Sequence, residues 1–336
     1  MDSGFALAMA LALAFAVTNG LHDASNAIAA LVTTRGARPL QAALLAAVFD
    51  LLGPLLLGAA VADTVGGIVT VPGSTGIVVI AAGLAAAVTW NLVTWARGLP
   101  ASSGHALGGG LAGAEVAAGG TSAINWGGLD GWHPVGVLGT LVALAISPLL
   151  GAAAGFAGLR SLRRALRRGT RRWHGPVRGG SWATSALLAF GHGSNDAQKS
   201  VGVIAAVLVA DGRASHLGSP PWAGVACAAA LTAGTVLGGW RIVATIGRRI
   251  VRLHPLDGVA GQGASSAVII AASAVGAPIS TTQVVASSVV GVGGGRARWR
   301  HVHWAVVRSI AVGWIVTLPI TAALAAALVA AWEALS

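Results

Sequence analysis

Two long apolar runs in this chain are each interrupted by ionisable and amide side chains, and that pattern restricts the fold more than any other. The later run contains Phe190-Gly-His-Gly-Ser-Asn-Asp-Ala-Gln-Lys-Ser200, with hydrophobic sequence on both sides (182–189 and 201–210). The earlier one contains Thr18-Asn-Gly-Leu-His-Asp-Ala-Ser-Asn-Ala27. An ionisable group at the centre of a bilayer span costs about 2.5–3.5 kcal/mol on insertion scales, so such groups line a polar path. Placing Asp23 on Asp196, an offset of 173, sets Gly20 on Gly193, Ala24 on Ala197, His22 on Asn195 and Asn26 on Lys199.

Composition settles the solvent. Only 9% of the residues are charged, 55% are hydrophobic, and the mean hydropathy is +0.77. A soluble domain carries about 25% charged residues, and several windows here reach the ~20 apolar residues of a membrane-spanning helix. A transmembrane barrel would alternate polar and apolar residues, which these runs do not. The expected fold is an all-α polytopic membrane protein. The net charge of +11 comes from 20 Arg and one Lys against ten acids. Arg marks cytoplasmic loops and the 12 Trp mark bilayer interfaces, so lipid rather than nucleic acid is the expected surroundings. The single Cys227 excludes a disulfide or a cysteine zinc cluster within the chain. No basic region precedes the first apolar stretch, so a cleavable signal peptide is not expected.

In chain order, the first motif lies in a segment over 4–34, closed by Arg35 and Arg38-Pro39. Segment 40–62 carries Asp50, which has no clear counterpart later, and a Gly, Pro and Ser loop follows over 63–76. An apolar arm (77–96) then leads to the tip Gly98-Leu-Pro-Ala-Ser-Ser-Gly-His105, a small-residue arm (106–118) and segment 134–158. The linker from Arg160 to Arg178 holds eight Arg and no acid. After it come the motif segment 182–210, a span over 222–247, an arm (258–275), the tip Gly276-Ala-Pro-Ile-Ser-Thr-Thr-Gln283, an arm to Gly293, and segment 302–332. The two tips align at an offset of 178. Two independent motifs that recur in order at nearly one spacing indicate duplication. The expected division is a first repeat over 1–159, a cytoplasmic Arg-rich linker over 160–180, and a second repeat over 181–336.

Charge then suggests a topology. With the Arg linker inside and each tip at the end of a re-entrant hairpin, the loop at Arg35 and Arg38 and both later basic patches (Arg248, Arg249, Arg252; Arg296, Arg298, Arg300) also fall inside. Arg213 is then the loop cation that breaks the rule. The halves take opposite orientations, giving an inverted-topology repeat with two broken motif helices and two re-entrant hairpins, an architecture of secondary transporters. Both termini are expected outside the cytoplasm, in a multi-pass protein of the plasma (inner) membrane.

The chemistry points to an oxyanion. Free N–H groups at the start of a half-helix, with the helix dipole behind them, bind anions. Ser102, Ser103, Ser280, Thr281 and Thr282 offer hydroxyl donors, with His105 and Gln283 one turn further in; the alternative is that these hydroxyls serve their own helix backbone. Asp23 and Asp196 suit an anion that still carries protons, such as phosphate near neutral pH, and would repel sulfate. They also suit a coupling cation, and the alternative for each is a helix cap or a local pair, Asp196 with Lys199.

At these residues the chain resembles the inorganic phosphate transporter (PiT) family. His192 to Ser200 is similar to the family's second signature, 19–27 to its first, and the stretches 100–105 and 278–283 to its hairpin tips. Much of the family has Asn where this chain has His22, and that variant is similar to the bacterial low-affinity branch, which the family description couples to protons and associates with metal–phosphate complexes. The resemblance implies a phosphate importer working by cation symport and alternating access. The expected substrate-binding residues are Ser102, Ser103, Ser280, Thr281, Thr282, Gln283, Gln198, Asn195, Asp23 and Asp196. The expected cation-coupling residues are His22, Asp23, Asn26, Asn195 and Asp196. Beyond a coupling cation, protons before sodium, no cofactor is expected; a metal site and a homo-oligomer stay open. The alternatives are a sulfate or other oxyanion permease, an anion channel, and an intramembrane hydrolase, which lacks a distinct nucleophile–base set here.

Overall fold

The computed structural model describes residues 3–58, 60–130, 133–167, 174–296 and 299–335. Arg298 and the middle of the Arg linker (168–173) lie outside them. The chain is built of α1 (Ser3–Thr33), α2 (Pro39–Leu56), α3 (Ala60–Gly66), α4 (Gly73–Arg97), α5 (Ser103–Gly119), a small antiparallel pair β1 (Gly128–Asp130) and β2 (His133–Val135), and α6 (Gly136–Ala165). The second half holds α7 (His174–Ala210), α8 (Pro221–Leu237), α9 (Trp240–Ala244) running into a π-helical turn (Thr245–Arg249), α10 (Pro255–Ala274), α11 (Thr281–Gly295) and α12 (Trp304–Leu335). Proline opens α2, α8 and α10 at the position where a missing N–H costs nothing.

Among the described residues, five helices are long and apolar enough to cross a membrane: α1, α2, α4, α6 and α12. The bent pair formed by α8 and the α9 segment makes a sixth. The motif keeps α7 less apolar, yet its 37 residues reach about 55 Å at 1.5 Å per residue. Large apolar side chains such as Leu56, Leu149, Leu237 and Ile315 face outward, while Asp23, Asp50, His192, Asp196 and Lys199 are buried. That inside-out polarity belongs to a protein solvated by lipid, and the chain is a multi-pass membrane protein.

The expected breaks in the motif helices are not there. α1 and α7 run as continuous α-helices through both motifs, because the polar side chains bond sideways to other elements and leave the i→i−4 backbone ladder intact. The interruptions fall in the next segment of each half. Gly58 (φ 80°) separates α2 from α3, and Gly238 (φ 73°) separates α8 from α9, with a 63° bend at the latter. Positive φ is cheap for glycine and ends a helix. Segments 40–62 and 222–247 are therefore each two helices, and α3 takes up the start of the predicted loop.

The halves interlock with matching contacts. α2 packs on α7, and α8 packs on α1. Gly193 lies against the backbone of Asp50, and Gly20, 173 positions earlier, against that of Leu231. Gly53 meets the backbone at Phe190 and Ser194; Gly234 meets it at Val17 and Leu21. Asp50 thus has a structural counterpart, the apolar Leu231. Likewise α6 packs on α11 and α12 on α5. The helices α4 and α5 fold back on one another about the tip 98–102, as α10 and α11 do about 275–280.

Candidate functional site

Both hairpin tips meet the motif helices in the buried centre. Gly98, with φ 65°, ends α4, and Ser102 caps α5 by accepting from the His105 N–H at 3.2 Å. Ser280 caps α11 in the same way, accepting from the Gln283 N–H at 3.3 Å. Each cap leaves the next hydroxyl free to reach a carboxylate. Ser103 donates to Asp23 Oδ2 at 3.1 Å, and Thr281, 178 positions on, donates to Asp196 Oδ2 at 2.8 Å. The first N–H groups of α5 and α11 have no acceptor within their own helices, so two positive helix ends converge on two carboxylates.

Around Asp23, Thr282 donates to Oδ1 at 2.5 Å and itself accepts from Asn26 Nδ2 at 3.1 Å. His22 Nδ1 lies 3.0 Å from Asp23 Oδ1, and its Nε2 lies 3.3 Å from the Thr94 hydroxyl. Around Asp196, the Lys199 ammonium donates to Oδ1 at 2.5 Å and to the Ile279 carbonyl at 2.9 Å. Asn195 donates to Ser273 Oγ and the Ala277 carbonyl, both at 3.1 Å. The bond to the Ala277 carbonyl, with the one from Lys199 to the Ile279 carbonyl, satisfies non-helical backbone of the second tip, while Ser273 lies on α10. Gln198 accepts from the Val61 N–H at 2.9 Å, holding the start of α3.

All of the predicted site residues are buried, none more than 4% exposed. Ser103, Thr281, Thr282, Asp23, Asp196, His22 and Asn26 come together; Ser102 and Ser280 act as caps; Asn195 and Gln198 hold neighbouring backbone. At matched positions, His105 Nδ1 and Gln283 Oε1 are buried without a hydrogen-bond partner among the described residues.

Four residues of the centre, His192, Asp50, Thr235 and Lys199, were not among the predicted ones. His192 Nδ1 lies 2.8 Å from Asp50 Oδ1, and its Nε2 lies 3.3 Å from Asp196 Oδ2. Thr235 donates to Asp50 Oδ2 at 2.7 Å. An imidazole therefore sits between two carboxylates, and the chain of contacts runs Thr235–Asp50–His192–Asp196–Lys199. Asp23, His192 and Asp196 each bring one ligand-type atom, all within 4.8 Å of one another. The signal for His192 was its place four residues before Asp196, on the same helix face. Asp50→Asn removes a hydrogen bond to a charged group worth about 1.5–3 kcal/mol, and is expected to slow uptake tenfold or more at equal reconstituted amounts of protein.

Comparison with known proteins meets this architecture from outside. The sequence profile of the phosphate transporter family matches residues 19–178 and 168–325. A probable low-affinity inorganic phosphate transporter of Rhizobium meliloti (strain 1021) is 39% identical over 322 residues, covering 95% of this chain and 93% of the relative. One from Bacillus subtilis (strain 168) is 38% identical over 320 residues, covering 94% and 93%. A solved structure described as the sodium-dependent phosphate transporter shares the fold at a TM-score of 0.87, with 22% identity and full coverage of both chains. These relatives are transporters, not enzymes. Since the profile spans both motif helices and both hairpins, and the relatives align over nearly their whole length, the chain belongs to the phosphate transporter family.

Proposed function

We propose that this transporter imports inorganic phosphate by cation symport and alternating access, with protons as the preferred coupling ion. The observation that carries the reading is the convergence of Asp23 and Asp196 with the hydroxyl-bearing N-termini of α5 and α11. Hydrogen phosphate offers both things this site can use. Its oxygens take the N–H groups and the hydroxyls of Ser103, Thr281 and Thr282, which now point at carboxylate. Its remaining proton gives a carboxylate something to accept, which sulfate lacks. Ser102, Ser280, Asn195, Gln198 and Gln283 complete the substrate surroundings by fixing the tips and α3.

His22, Asp23, Asn26, Asn195 and Asp196 are the proposed coupling residues. His22–Asp23 and His192–Asp196 each set an imidazole beside a carboxylate, the kind of pair a proton-coupled carrier can use. Two cavities beside the site are small, about 10 Å³ each, one at Asn26 and one at Gly104 and Lys199, while larger ones of about 420 and 500 Å³ reach the two tips at Leu99, Pro100 and Ala101 and at Ala277 and Ile279. The matched contacts of the two halves support repeats over 1–159 and 181–336 with re-entrant hairpins, and the arginine distribution supports their opposite orientation and termini outside the cytoplasm. A divalent metal carried with phosphate as cargo would find its donors in Asp23, His192 and Asp196.

The test is labelled phosphate uptake into proteoliposomes. Uptake is expected to rise with an inward proton gradient, to change little with sodium, and to resist a tenfold excess of sulfate. Equal inhibition by sulfate and phosphate would assign the site to oxyanions in general, and strict sodium dependence would remove the proton from the coupling.

A further inference from the structure

With the motifs matched at an offset of 173 and the tips at 178, the hydroxyls on the two carboxylates correspond until a paired exchange breaks the match. Ser103 on Asp23 corresponds to Thr281 on Asp196. On the first carboxylate, Oδ1 then receives the Thr282 hydroxyl, and Asn26 backs that hydroxyl. On the second, the residue matched to Asn26 is Lys199, whose ammonium takes Oδ1 itself. The residue matched to Thr282 is Gly104. A Cβ built there would lie 3.5 Å from Lys199 Nζ, so the ammonium lies against the space a side chain at 104 would enter. Lysine for asparagine and glycine for threonine are therefore one substitution in two parts, a long cation and the room to seat it.

We propose that Lys199 is a tethered cation standing where the second half-site would otherwise take a dissociable one, so that each phosphate travels with one charge fewer than a symmetric pair of cation sites would give. The inference rests on the symport reading above. At the Asp23 half-site, Asn26 Oδ1 is buried without a hydrogen-bond partner among the described residues, which leaves a carbonyl oxygen beside a carboxylate and a hydroxyl for an exchangeable cation. At the Asp196 half-site the equivalent position already carries a positive charge on a side chain, held by the Asp196 carboxylate and the Ile279 carbonyl. Among the described residues, His192, also on α7, through it Asp50 of α2, and Asp23 of α1 are the other titratable groups near Asp196, and His105 of α5 lies within electrostatic reach of Lys199. Asp23 and His22 on α1 face the first half-site across the centre. The ammonium cannot leave with the substrate. It balances Asp196 throughout the cycle and consumes no gradient.

The experiment converts the second half-site into a copy of the first. Lys199→Asn with Gly104→Thr restores the asparagine and hydroxyl that serve Asp23, and Lys199→Asn alone is run beside it. The full chain is reconstituted, and steady-state phosphate accumulation is measured against an imposed inside-negative potential. Each added positive charge per phosphate multiplies equilibrium accumulation about tenfold at about 60 mV, so the double variant is expected to exceed wild type by that factor. Its melting temperature in detergent is expected to rise with sodium or with protons more steeply than that of wild type. An unchanged charge per phosphate in a folded double variant would overturn the proposal. So would a double variant that no concentration of either cation stabilises. If wild type itself shows no gradient-driven accumulation, the symport reading fails, while the melting experiment still reports whether a cation binds in place of the lysine.

Discussion

Asp23→Asn is expected to abolish phosphate uptake, by at least about a hundredfold, while the protein still inserts and purifies as a folded species. The asparagine is nearly isosteric. Its carbonyl oxygen can accept the Thr282 or Ser103 hydroxyl, and its amide can donate to whichever hydroxyl rotates to receive it, so packing survives. The charge that holds these donors in place is lost. Hydrogen bonds to a charged group contribute about 1.5–3 kcal/mol each, and Asp23 accepts two from hydroxyls besides its contact with His22. On the proposed symport reading, the site holds a cation and a protonated anion together, and both lose a partner with that carboxylate. Uptake in proteoliposomes and gel filtration of the same preparation separate function from folding, and wild-type uptake in the variant would remove Asp23 from the site. The matched change Asp196→Asn is expected to damage folding as well, because it strands the buried Lys199 ammonium; breaking one partner of a buried ion pair costs about 3–5 kcal/mol. The contrast between the two variants is a direct reading of how unequal the half-sites are.

How far the chain disclosed this arrangement depended on what kind of cost each feature carries. Polar groups in an apolar run are costly wherever they occur, so the motif stretches around Asp23 and Asp196 stood out, and their alignment, followed by that of the tips, pointed to a duplication. The same cost misled about backbone. Polar residues suggested broken helices in α1 and α7, whereas the breaks sit at Gly58 and Gly238, where composition is unremarkable and only a positive φ matters. Adjacent hydroxyls were also indistinguishable in sequence. Ser102 and Ser103 differ only in that one faces its own helix turn and the other faces Asp23, a distinction made by the entry angle of α5. His192 is visible in the motif, but its partner Asp50 lies 142 residues away. Asp50 lacked a counterpart because the matched position is Leu231, and one acid in one half leaves no repeat to find.

Gly193→Ala is expected to cost the protein its native packing, with a loss of several kcal/mol, and Gly20→Ala is expected to do the same. At each site the new Cβ would fall inside van der Waals distance of a neighbouring backbone carbonyl, that of Asp50 for Gly193 and that of Leu231 for Gly20. The next atoms are no more forgiving: Asp50 Cα lies 2.7 Å from the Cβ at 193, and the Leu231 carbonyl carbon lies 2.9 Å from the Cβ at 20. A flexible side chain can rotate away from such a contact, but a helix backbone cannot, so α2 must part from α7, or α8 from α1. Overpacking costs about 1–3 kcal/mol where side chains absorb it, and these contacts lie above that range. Gly224→Ala in α8 is the control, since its Cβ meets nothing within 4 Å, and alanine is favoured over glycine in a helix by about 1 kcal/mol. Thermal melts in detergent should place the two core variants far below wild type and Gly224→Ala at or above it. The pair also separates in function. Parting α2 from α7 pulls Asp50 directly from His192, whereas parting α8 from α1 moves the apolar Leu231 and Thr235, which reaches Asp50 from the side away from His192. At a temperature where both variants retain folded protein, Gly193→Ala is therefore expected to lose more uptake per folded molecule than Gly20→Ala. Equal losses would show that the Asp50–His192 contact matters no more to uptake than the Thr235–Asp50 contact.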